Sequence, residues 1–429
     1  MILRIAFILG LLSGCKTSGP SGVQSIKTTE NERNAMVLRA EVFQGIENPH
    51  LLSLEEIQNG PTPPGSKEGK NYFKWNSTVT CNFSEENFTD PPGGQSPKFL
   101  CDILDKNGKV VKKGTKIKYD QHNPEVYNEV AGSRLFWILG FPADYYYSVN
   151  VVCKGCPESD PWVYVKQMKT FDQAARDAEW AARKTATYAG ETRTFTPAAI
   201  EKKFGEKIKI AATGESGWSF FDDLIKPSTE LSFPTAEQEQ KLVEREGLAI
   251  LAAMLSHVDN QAGNQRLYCL KKDEKEGCKT KAPWMVLHDL GATMGGFRLN
   301  WEQRGNFLEV GQASFAMGVW MNKMTTSVFS DNVNCKLTVP TLQDVQTLGP
   351  EKLVQVSEKG RRFIMERFVR LSGQKGYVLT DEMKPKIKEQ LMKVFLAGKS
   401  ALYNDTSSAW WADVVLTKLD IVNNYKACK

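Results

Sequence analysis

An alternation of apolar and polar residues marks a β-rich region between residues 72 and 119. β-Branched and aromatic residues alternate with polar ones at 76–83, 97–104 and 109–119, and turns rich in Gly, Pro and Asn separate these runs. A period of two residues is typical of half-buried strands, and short turn signals between such runs are typical of hairpins. The pattern therefore predicts a meander of three antiparallel strands.

The period then changes from two residues to about 3.6, which predicts a helix after the third strand. Asn123-Pro124-Glu125 opens this helix, and Gly140 ends it. The apolar residues near helical spacing are Val126, Val130, Leu135 and Leu139. The run from Ala143 to Val152 returns to the strand pattern. The predicted order of elements is therefore β-β-β-α-β.

The rest of the chain has mainly helical periodicity. The predicted helices cover residues 170–185, 237–257, 350–371, 385–396 and 410–421. Residues 187–233 have no regular pattern, whereas 267–287 has the pattern of a pair of strands. The predicted fold class is α+β, with a β-rich part at 34–157 and a mainly helical part at 158–429.

Composition limits the classes of partner. The 429 residues carry 55 basic and 50 acidic side chains, which gives a net charge of +5. Because proteins that bind nucleic acid carry a much more concentrated positive charge, we expect no nucleic-acid partner. The hydrophobic fraction of 41% is that of a globular protein with a well-buried core.

Residues 1–15 predict export and lipidation. A short apolar run follows Arg4 and leads to Leu12-Ser13-Gly14-Cys15, an arrangement typical of a signal peptide. The segment resembles a bacterial lipoprotein signal, which implies that Cys15 is lipidated and becomes the N-terminal residue. No later segment reaches the roughly 18 apolar residues that a membrane span requires. The chain is therefore expected to be anchored to a membrane rather than to cross it.

Residues 16–33 connect this anchor to the rest of the chain. They are rich in Ser, Gly, Thr and Lys, a composition that predicts a flexible tether. Lys16 rather than an aspartate follows Cys15. By analogy with lipoprotein sorting, this favours the outer membrane, so the expected location is the bacterial cell envelope.

Eight further cysteines predict disulfides, because an even number of cysteines is typical of an exported chain. Their spacing favours three pairs and one C-x-x-C, namely Cys81–Cys101, Cys269–Cys278, Cys335–Cys428 and Cys153-Lys154-Gly155-Cys156. No second C-x-x-C and no nearby pair of histidines accompanies the C-x-x-C. This favours a closed structural disulfide there over a redox or zinc site.

Two short acidic motifs follow apolar segments in the second half of the chain. His257-Val258-Asp259 continues to Asn264 as H-x-D-x-x-x-x-N, and the apolar run 284–287 leads to His288-Asp289-Leu290-Gly291, which contains D-L-G. Kinase-like phosphotransferases build their metal and base site from such a pair of motifs. These residue types predict that Asp259 orients an attacking hydroxyl and that Asn264 and Asp289 bind Mg²⁺, while the two histidines brace the loops.

In these motifs the chain resembles the protein-kinase-like superfamily. The spacing of Asp259 and Asn264 is that of protein kinases and of aminoglycoside phosphotransferases, but Val258 replaces the arginine of H-R-D and no A-P-E follows. The resemblance is therefore closer to HipA-type, lipid and secretory-pathway kinases. It implies a two-lobed fold, with a small antiparallel-sheet N-lobe that includes one helix and a larger, mainly helical C-lobe. It also implies binding of ATP or another nucleotide with Mg²⁺, and phosphate transfer to a hydroxyl-bearing substrate.

A lysine-containing strand and a glutamate-containing helix precede these motifs. Lys116 and Lys118 share one face of the third strand, and Glu125 and Glu129 share one face of the next helix. Either lysine is a candidate for binding the nucleotide. The order of these elements predicts that Lys118 holds the phosphates and that Glu129 orients Lys118.

A glycine-containing loop is the predicted cover for the phosphates. The sequence has no G-x-G-x-x-G, but the loop 91–96 includes Gly93 and Gly94. Backbone N–H groups in such a loop can point at an anion, although Gly/Pro turns are common without this role.

Two other functions use the same residues. One is a non-catalytic binding lipoprotein with a kinase-like fold, since the predicted location has no obvious ATP supply. The other is a metal-dependent HD-type phosphohydrolase that uses His257, His288-Asp289 and either Asp331 or Asp344 as ligands. The hydrolase fold is all-helical around its metals, whereas Pro283 and the glycines after Asp289 indicate that His288-Asp289 ends a strand.

Overall fold

The computed structural model describes most of the chain from residue 25 onward. The described residues are 25–62, 66–84, 96–121, 123–164, 174–175, 178, 190–202, 206–225, 235–257, 262–269, 278, 282–294, 329–331, 335–339, 352–399 and 407–425. The predicted signal peptide with Cys15 lies outside these ranges, so lipidation stays a prediction. Among the helices that are described, none is long and apolar enough to cross a membrane.

The described part of the chain contains both strands and helices, which confirms the α+β class. The strands are β1 (Ser25–Thr28), β2 (Thr78–Phe83), β3 (Lys98–Leu104), β4 (Val110–Tyr119), β5 (Tyr145–Cys156), β6 (Glu191–Lys202), β7 (Glu206–Ile210), β8 (Gln265–Cys269), β9 (Trp284–Leu287), β10 (Phe329–Asp331), β11 (Lys336–Val339) and β12 (Lys352–Gln355). The α-helices are α1 (Glu30–Arg39), α2 (Leu54–Asn59), α3 (Pro124–Ile138), α4 (Ala236–Met254), α5 (Glu358–Val369), α6 (Lys384–Ala397) and α7 (Ser408–Asn424).

Five of the strands form a closed sheet in the order β2-β3-β4-β6-β5. β2, β3 and β4 are antiparallel neighbours, and parallel pairing of β2 with β5 closes the ring. The predicted three-stranded meander and the strand after α3 are therefore confirmed. Alternate side chains such as Phe99, Cys101 and Ile103 point inward and form a separate apolar core.

Strand β6 completes this closed sheet, so part of the sheet lies beyond the predicted domain boundary at residue 157. The strand lies within 187–233, which was predicted to be irregular, and it pairs with both β4 and β5. Pro197 in its middle weakened the strand signal. That proline lies where the pairing register between β5 and β6 shifts, and proline is tolerated in a strand at such an irregularity.

Helix α3 begins where the sequence predicts. The Asn123 side chain accepts a hydrogen bond from the Glu125 N–H, and Pro124 occupies the first turn. The apolar face of the helix, with Val130 and Leu135, is fully buried in the main hydrophobic core. This core also takes side chains from the other described α-helices, so α3 joins the closed sheet to the helical part of the molecule.

A second sheet has the order β1-β7-β8-β9, with β1 parallel to β7 and the other neighbours antiparallel. The predicted strand pair within 267–287 is confirmed as β8 and β9. The tether predicted for 16–33 is wrong from Ser25 onward, because β1 and the start of α1 lie there. Pairing with β7 satisfies the backbone of β1, and a Thr29–Glu32 capping box starts α1.

The region after residue 158 contains more β-structure than predicted. Besides β6 to β9, residues Lys352–Gln355 form a strand of the sheet β10-β11-β12, so the helix predicted for 350–371 is confirmed only as α5. Helices α4, α6 and α7 agree with prediction. Most of the helix predicted for 170–185 lies outside the described residues.

Three of the predicted cysteine pairs lie at disulfide distance. The Cα atoms are 5.7 Å apart for Cys81–Cys101, 5.8 Å for Cys153–Cys156 and 5.5 Å for Cys269–Cys278. Cys335 is also disulfide-bonded. Its predicted partner, Cys428, is not among the described residues, so that pairing stays a prediction.

Candidate functional site

The side chain of Lys118 lies at the centre of a buried charged cluster. It is only 2% exposed, and its ammonium group donates hydrogen bonds to Glu129 Oε1, to Glu125 Oε2 at 2.8 Å and to Asp289 Oδ1 at 3.2 Å. Three carboxylates from two distant parts of the chain thus meet one lysine. The structure brings together the predicted Lys118, Glu129 and Asp289, and it adds Glu125.

Secondary structure explains why these side chains meet. Lys118 is the last residue but one of β4, and the chain then turns into α3. On α3, Glu125 and Glu129 are one helical turn apart on the same face. Asp289 follows β9 after one intervening residue, His288. Its N–H donates a hydrogen bond to the Tyr146 hydroxyl on β5 at 3.2 Å.

The D-L-G turn is held tightly against α3. The amide of Asn128 donates to the carbonyl oxygens of Gly291 at 3.4 Å and Thr293 at 2.8 Å. A Cβ atom at Gly291 would lie 2.6 Å from Glu125 Cγ, so only glycine allows this close approach. Asp289 itself has φ of 51°, in the left-handed region that non-glycine residues rarely adopt. The packing of this turn therefore positions Asp289 relative to the two glutamates.

One ammonium shared by three carboxylates gives the cluster uneven pKa values. Burial alone lowers the pKa of Lys118, but the surrounding carboxylates outweigh it and hold this pKa well above its usual range. Burial raises the pKa of Asp289, but Lys118 and other nearby cations hold it well below its usual range. Glu129 is the least exposed of the three acids. Burial raises its pKa to about 8, since attraction by the Lys118 ammonium only partly offsets the cost of burying the charged form. Asp289 is therefore ionised at neutral pH, while Glu129 takes up a proton readily.

The same carboxylates have the chemistry of a divalent-metal site. One oxygen from each of Glu125, Glu129 and Asp289 lies within 4.8 Å of the other two. Mg²⁺ prefers hard oxygen ligands and usually keeps several waters. Asp289 retains 30% of its side-chain exposure and Glu125 16%, whereas Glu129 is closed off at 1%. A metal entering from solvent would therefore reach Asp289 and Glu125 first.

A second buried cluster lies beside the first. His288 Nδ1 is 2.6 Å from Asp144 Oδ2 and 3.5 Å from Glu201 Oε1, and Lys116 forms an ion pair with Glu201. The predicted nucleotide-binding Lys116 is therefore engaged by β6 rather than by Glu129. Because His288 directly precedes Asp289, this cluster braces the start of the D-L-G turn, as predicted for this histidine.

His257 links the end of α4 to the same turn. Its Nδ1 is 3.1 Å from Thr293 Oγ1, and its Nε2 is 3.0 Å from Gln265 Nε2. Since the Gln265 amide nitrogen can only donate, His257 Nε2 accepts and the proton is assigned to Nδ1. The Gln265 amide oxygen in turn accepts from the His288 N–H at 3.3 Å. His257 thus also has the bracing role that the sequence predicts.

The burial of His257 should make the stability of the protein depend on pH. Burial lowers the pKa of His257 from 6.5 to about 4, whereas the unfolded chain takes up this proton near pH 6.5. The folded state therefore loses up to about 3 kcal/mol as the pH falls from 6.5 to about 4. Urea unfolding of a His257→Gln variant should therefore show a flatter pH dependence than the wild type in this window. An unchanged slope in His257→Gln would contradict this assignment.

Other predicted site residues are placed only in part. Asn264 ends the short turn Ala262–Asn264, directly before Gln265, which pairs with Leu287 in the β8–β9 ladder. The backbone thus places Asn264 at the same end of the ladder as Asp289, and its role as a metal ligand stays a prediction. The predicted base Asp259 and the predicted loop glycines Gly93 and Gly94 lie outside the described residues.

Lys98 belongs to this site but was missed from the sequence. It begins β3, is 5% exposed, and pairs directly with Lys118 in the β3–β4 register. Its ammonium lies 5.6 Å from the centre of the Trp162 ring. Burial, together with the neighbouring Lys118, lowers the pKa of Lys98 to about 8. Only the strand register could have identified it, since Lys98 otherwise looks like a surface lysine at the start of a strand.

The geometry does not support the HD-type hydrolase. In the part of the chain that is described, the groups of three metal-ligating side chains place His288 with Asp144 and Glu201, and Asp289 with Glu125 and Glu129, and none includes His257. His288-Asp289 follows a strand instead of lying in a helical bundle. Asp331 ends β10, and Asp344 is not described.

The chain has a distant structural likeness to a known protein and no match by sequence. No protein-family model matches the chain, and no curated protein matches it by sequence. Among solved structures, the crystal structure of CtkA, a proinflammatory kinase of Helicobacter pylori, is similar with a TM-score of 0.34 and 9% sequence identity. The match covers 80% of this chain and 95% of that chain. A likeness of this size does not establish a common fold.

Proposed function

We propose that this chain is an atypical kinase-like protein that binds a nucleotide with Mg²⁺ and transfers a phosphoryl group to a hydroxyl-bearing acceptor. The observation that carries the proposal is the contact of Lys118 with both Glu129 and Asp289. In kinases a strand lysine pairs with a helix glutamate beside the aspartate of the D-F-G motif. Here the same three residue types come in the same chain order and meet in space.

Each residue has a definite task in this proposal. Asp289 and Glu125 supply carboxylate oxygens to Mg²⁺, which neutralises phosphate charge when it is bound. Lys118 donates to phosphate oxygens, and Glu129 keeps its ammonium directed into the site. Asn264 is proposed as a further metal ligand, through its side-chain amide oxygen. Asp259 is the proposed group that positions the acceptor hydroxyl.

The two-lobed architecture is part of the same proposal. The closed sheet with α3 corresponds to a small lobe, and the mainly helical part that contains α4 to α7 corresponds to a larger one. In this proposal the charged cluster lies between the two lobes, because Asp289, on the turn after β9, contacts Lys118 near the end of β4. We further propose that Cys15 anchors the chain to a membrane of the bacterial envelope.

The proposal is tested by thermal unfolding of the full-length chain with ATP, in the presence and absence of MgCl₂. At a ligand concentration about 100 times Kd, binding contributes about 2.7 kcal/mol, which corresponds to a rise in Tm of about 3 °C for a chain of this size. We expect this rise only with both components present. If no nucleoside triphosphate stabilises the protein in the presence of Mg²⁺, the proposed function is wrong.

A further inference from the structure

Two buried lysines face each other across neighbouring strands of the closed sheet. Lys98 on β3 and Lys118 on β4 are direct register partners, and both are more than nine-tenths buried. Directly opposite residues in an antiparallel pair have Cβ atoms about 4.5–5.5 Å apart, and like charges at such positions are destabilising. An arrangement with this cost needs a compensating contact.

The carboxylates of the site make hydrogen bonds with only one of the two lysines. Lys118 bonds to Glu125, Glu129 and Asp289. Within the part of the chain that is described, the Lys98 ammonium makes no hydrogen bond and no ion pair, and its close contact is with the Trp162 ring at 5.6 Å. The neighbouring carboxylates act on Lys98 only through space. A nearly buried ammonium without a hydrogen-bonded anion is costly, so its surroundings favour a bound anion.

The surroundings of Lys98 indicate where that anion would lie. The hydroxyl of Ser96, two residues before Lys98, donates to Glu125 Oε2, so the start of β3 contacts the cluster that contains Lys118. The pKa of Lys98, lowered by burial to about 8, still leaves its amine mainly protonated at neutral pH. Two ammonium groups on directly paired strand positions, near a set of carboxylates, suit a metal-bound chain of phosphates. The carboxylates would bind the metal, and the lysines would bind the phosphate oxygens.

We propose that Lys98 and Lys118 form a two-lysine clamp for adjacent phosphates, so that the ligand class of this site is an oligophosphate with at least two consecutive phosphates. This inference rests on the proposed function, since it concerns the same metal-dependent site. It specifies recognition of the phosphate chain and not of a base. Both a nucleoside triphosphate and inorganic triphosphate fit this chemistry, whereas a single phosphate engages only one lysine.

The test is calorimetric titration of the full-length chain with Mg²⁺ and, separately, ATP, inorganic triphosphate and inorganic phosphate. Lys98→Met keeps the length of the side chain and removes its charge, and Lys113→Met, an exposed lysine on β4, is the matched control. We expect Lys98→Met to weaken ATP and inorganic triphosphate alike by about 10-fold or more, because a hydrogen bond to a charged group is lost. Inorganic phosphate should change less, and Lys113→Met should bind like the wild type.

A purely structural role for Lys98 would give a different set of results. Since Lys98→Met removes a like-charge pair, its Tm should equal or exceed that of the wild type, which separates loss of binding from loss of folding. Equal affinities of the wild type and Lys98→Met for both triphosphates would overturn the clamp while leaving the proposed function intact. A loss confined to ATP would also overturn it, because Lys98 would then recognise the nucleoside. If the wild type binds neither triphosphate, the proposed function itself fails.

Discussion

An Asp289→Asn variant should lose Mg²⁺-dependent binding of ATP while keeping its fold. The pKa of Asp289 is held well below its usual range, so the residue is a full carboxylate at neutral pH and the substitution removes that charge. Loss of a group that supports a metal site costs about 10- to 100-fold in affinity even when the group does not touch the metal, so loss of a ligand should cost at least about 100-fold. The rise in Tm of about 3 °C expected with Mg²⁺ and ATP should therefore disappear.

The fold of Asp289→Asn should survive because Lys118 keeps two other carboxylate partners, Glu125 and Glu129. Asp413→Asn is a suitable control, since Asp413 is an exposed aspartate on α7 that pairs with Lys388. This control should respond to Mg²⁺ and ATP like the wild type. Retention of the full metal-dependent stabilisation in Asp289→Asn would show that the metal binds elsewhere.

Replacement of Lys118 by methionine should destabilise the folded state strongly. The substitution leaves three carboxylates close together in a largely buried cluster without the cation that they share. Removal of one partner from a buried ion pair costs about 3–5 kcal/mol, because the remaining charge stays desolvated. Urea unfolding should therefore give a free energy of unfolding lower than that of the wild type by about this amount, and nucleotide binding should be lost as well.

A second substitution distinguishes this electrostatic effect from poor packing of the methionine. Glu125→Gln in the Lys118→Met background removes a carboxylate whose pKa Lys118 normally holds below its usual range, and it should restore part of the lost free energy. Lys359→Met removes an exposed lysine that pairs with Glu239, and surface pairs of this kind contribute about 1 kcal/mol or less. A loss in Lys118→Met no larger than that in Lys359→Met would mean that the cluster does not depend on Lys118.

The parts of the fold that were predicted correctly are those with local signals. The meander β2 to β4 has clear alternation between turns, and α3 has a capping asparagine followed by proline at its start. Helices α6 and α7 have continuous helical periodicity. In each case the information lies within about 15 consecutive residues, so no long-range contact is needed to recognise the element.

The parts that were missed depend on partners far away in the chain. β1 has four residues and is held by parallel pairing of Ser25 with Lys207 and its neighbours. β6 is interrupted by Pro197, and it is a strand because β4 and β5 lie on either side of it. Tertiary pairing of this kind overrides local composition, so composition alone assigned the region around β1 to a tether and that around β6 to irregular structure.

The candidate site shows the same division. The order of Lys118, Glu129 and Asp289 along the chain was sufficient to predict that they meet, because the motifs carry a known geometry. Lys98 became visible only through the strand register. The pairing of His288 with Asp144 depends on two segments 144 residues apart, and no short motif encodes it.

The central claim is that Asp289 and Lys118 together bind a metal–nucleotide complex. It is tested most directly by a crystal structure of the full-length chain with Mn²⁺ and a non-hydrolysable ATP analogue, recorded where manganese scatters anomalously. We predict an anomalous peak about 2 Å from an Asp289 carboxylate oxygen, with phosphate oxygens in contact with the Lys118 ammonium. A peak instead among Asp144, Glu201 and His288, or bound nucleotide with no peak at Asp289, would contradict the claim.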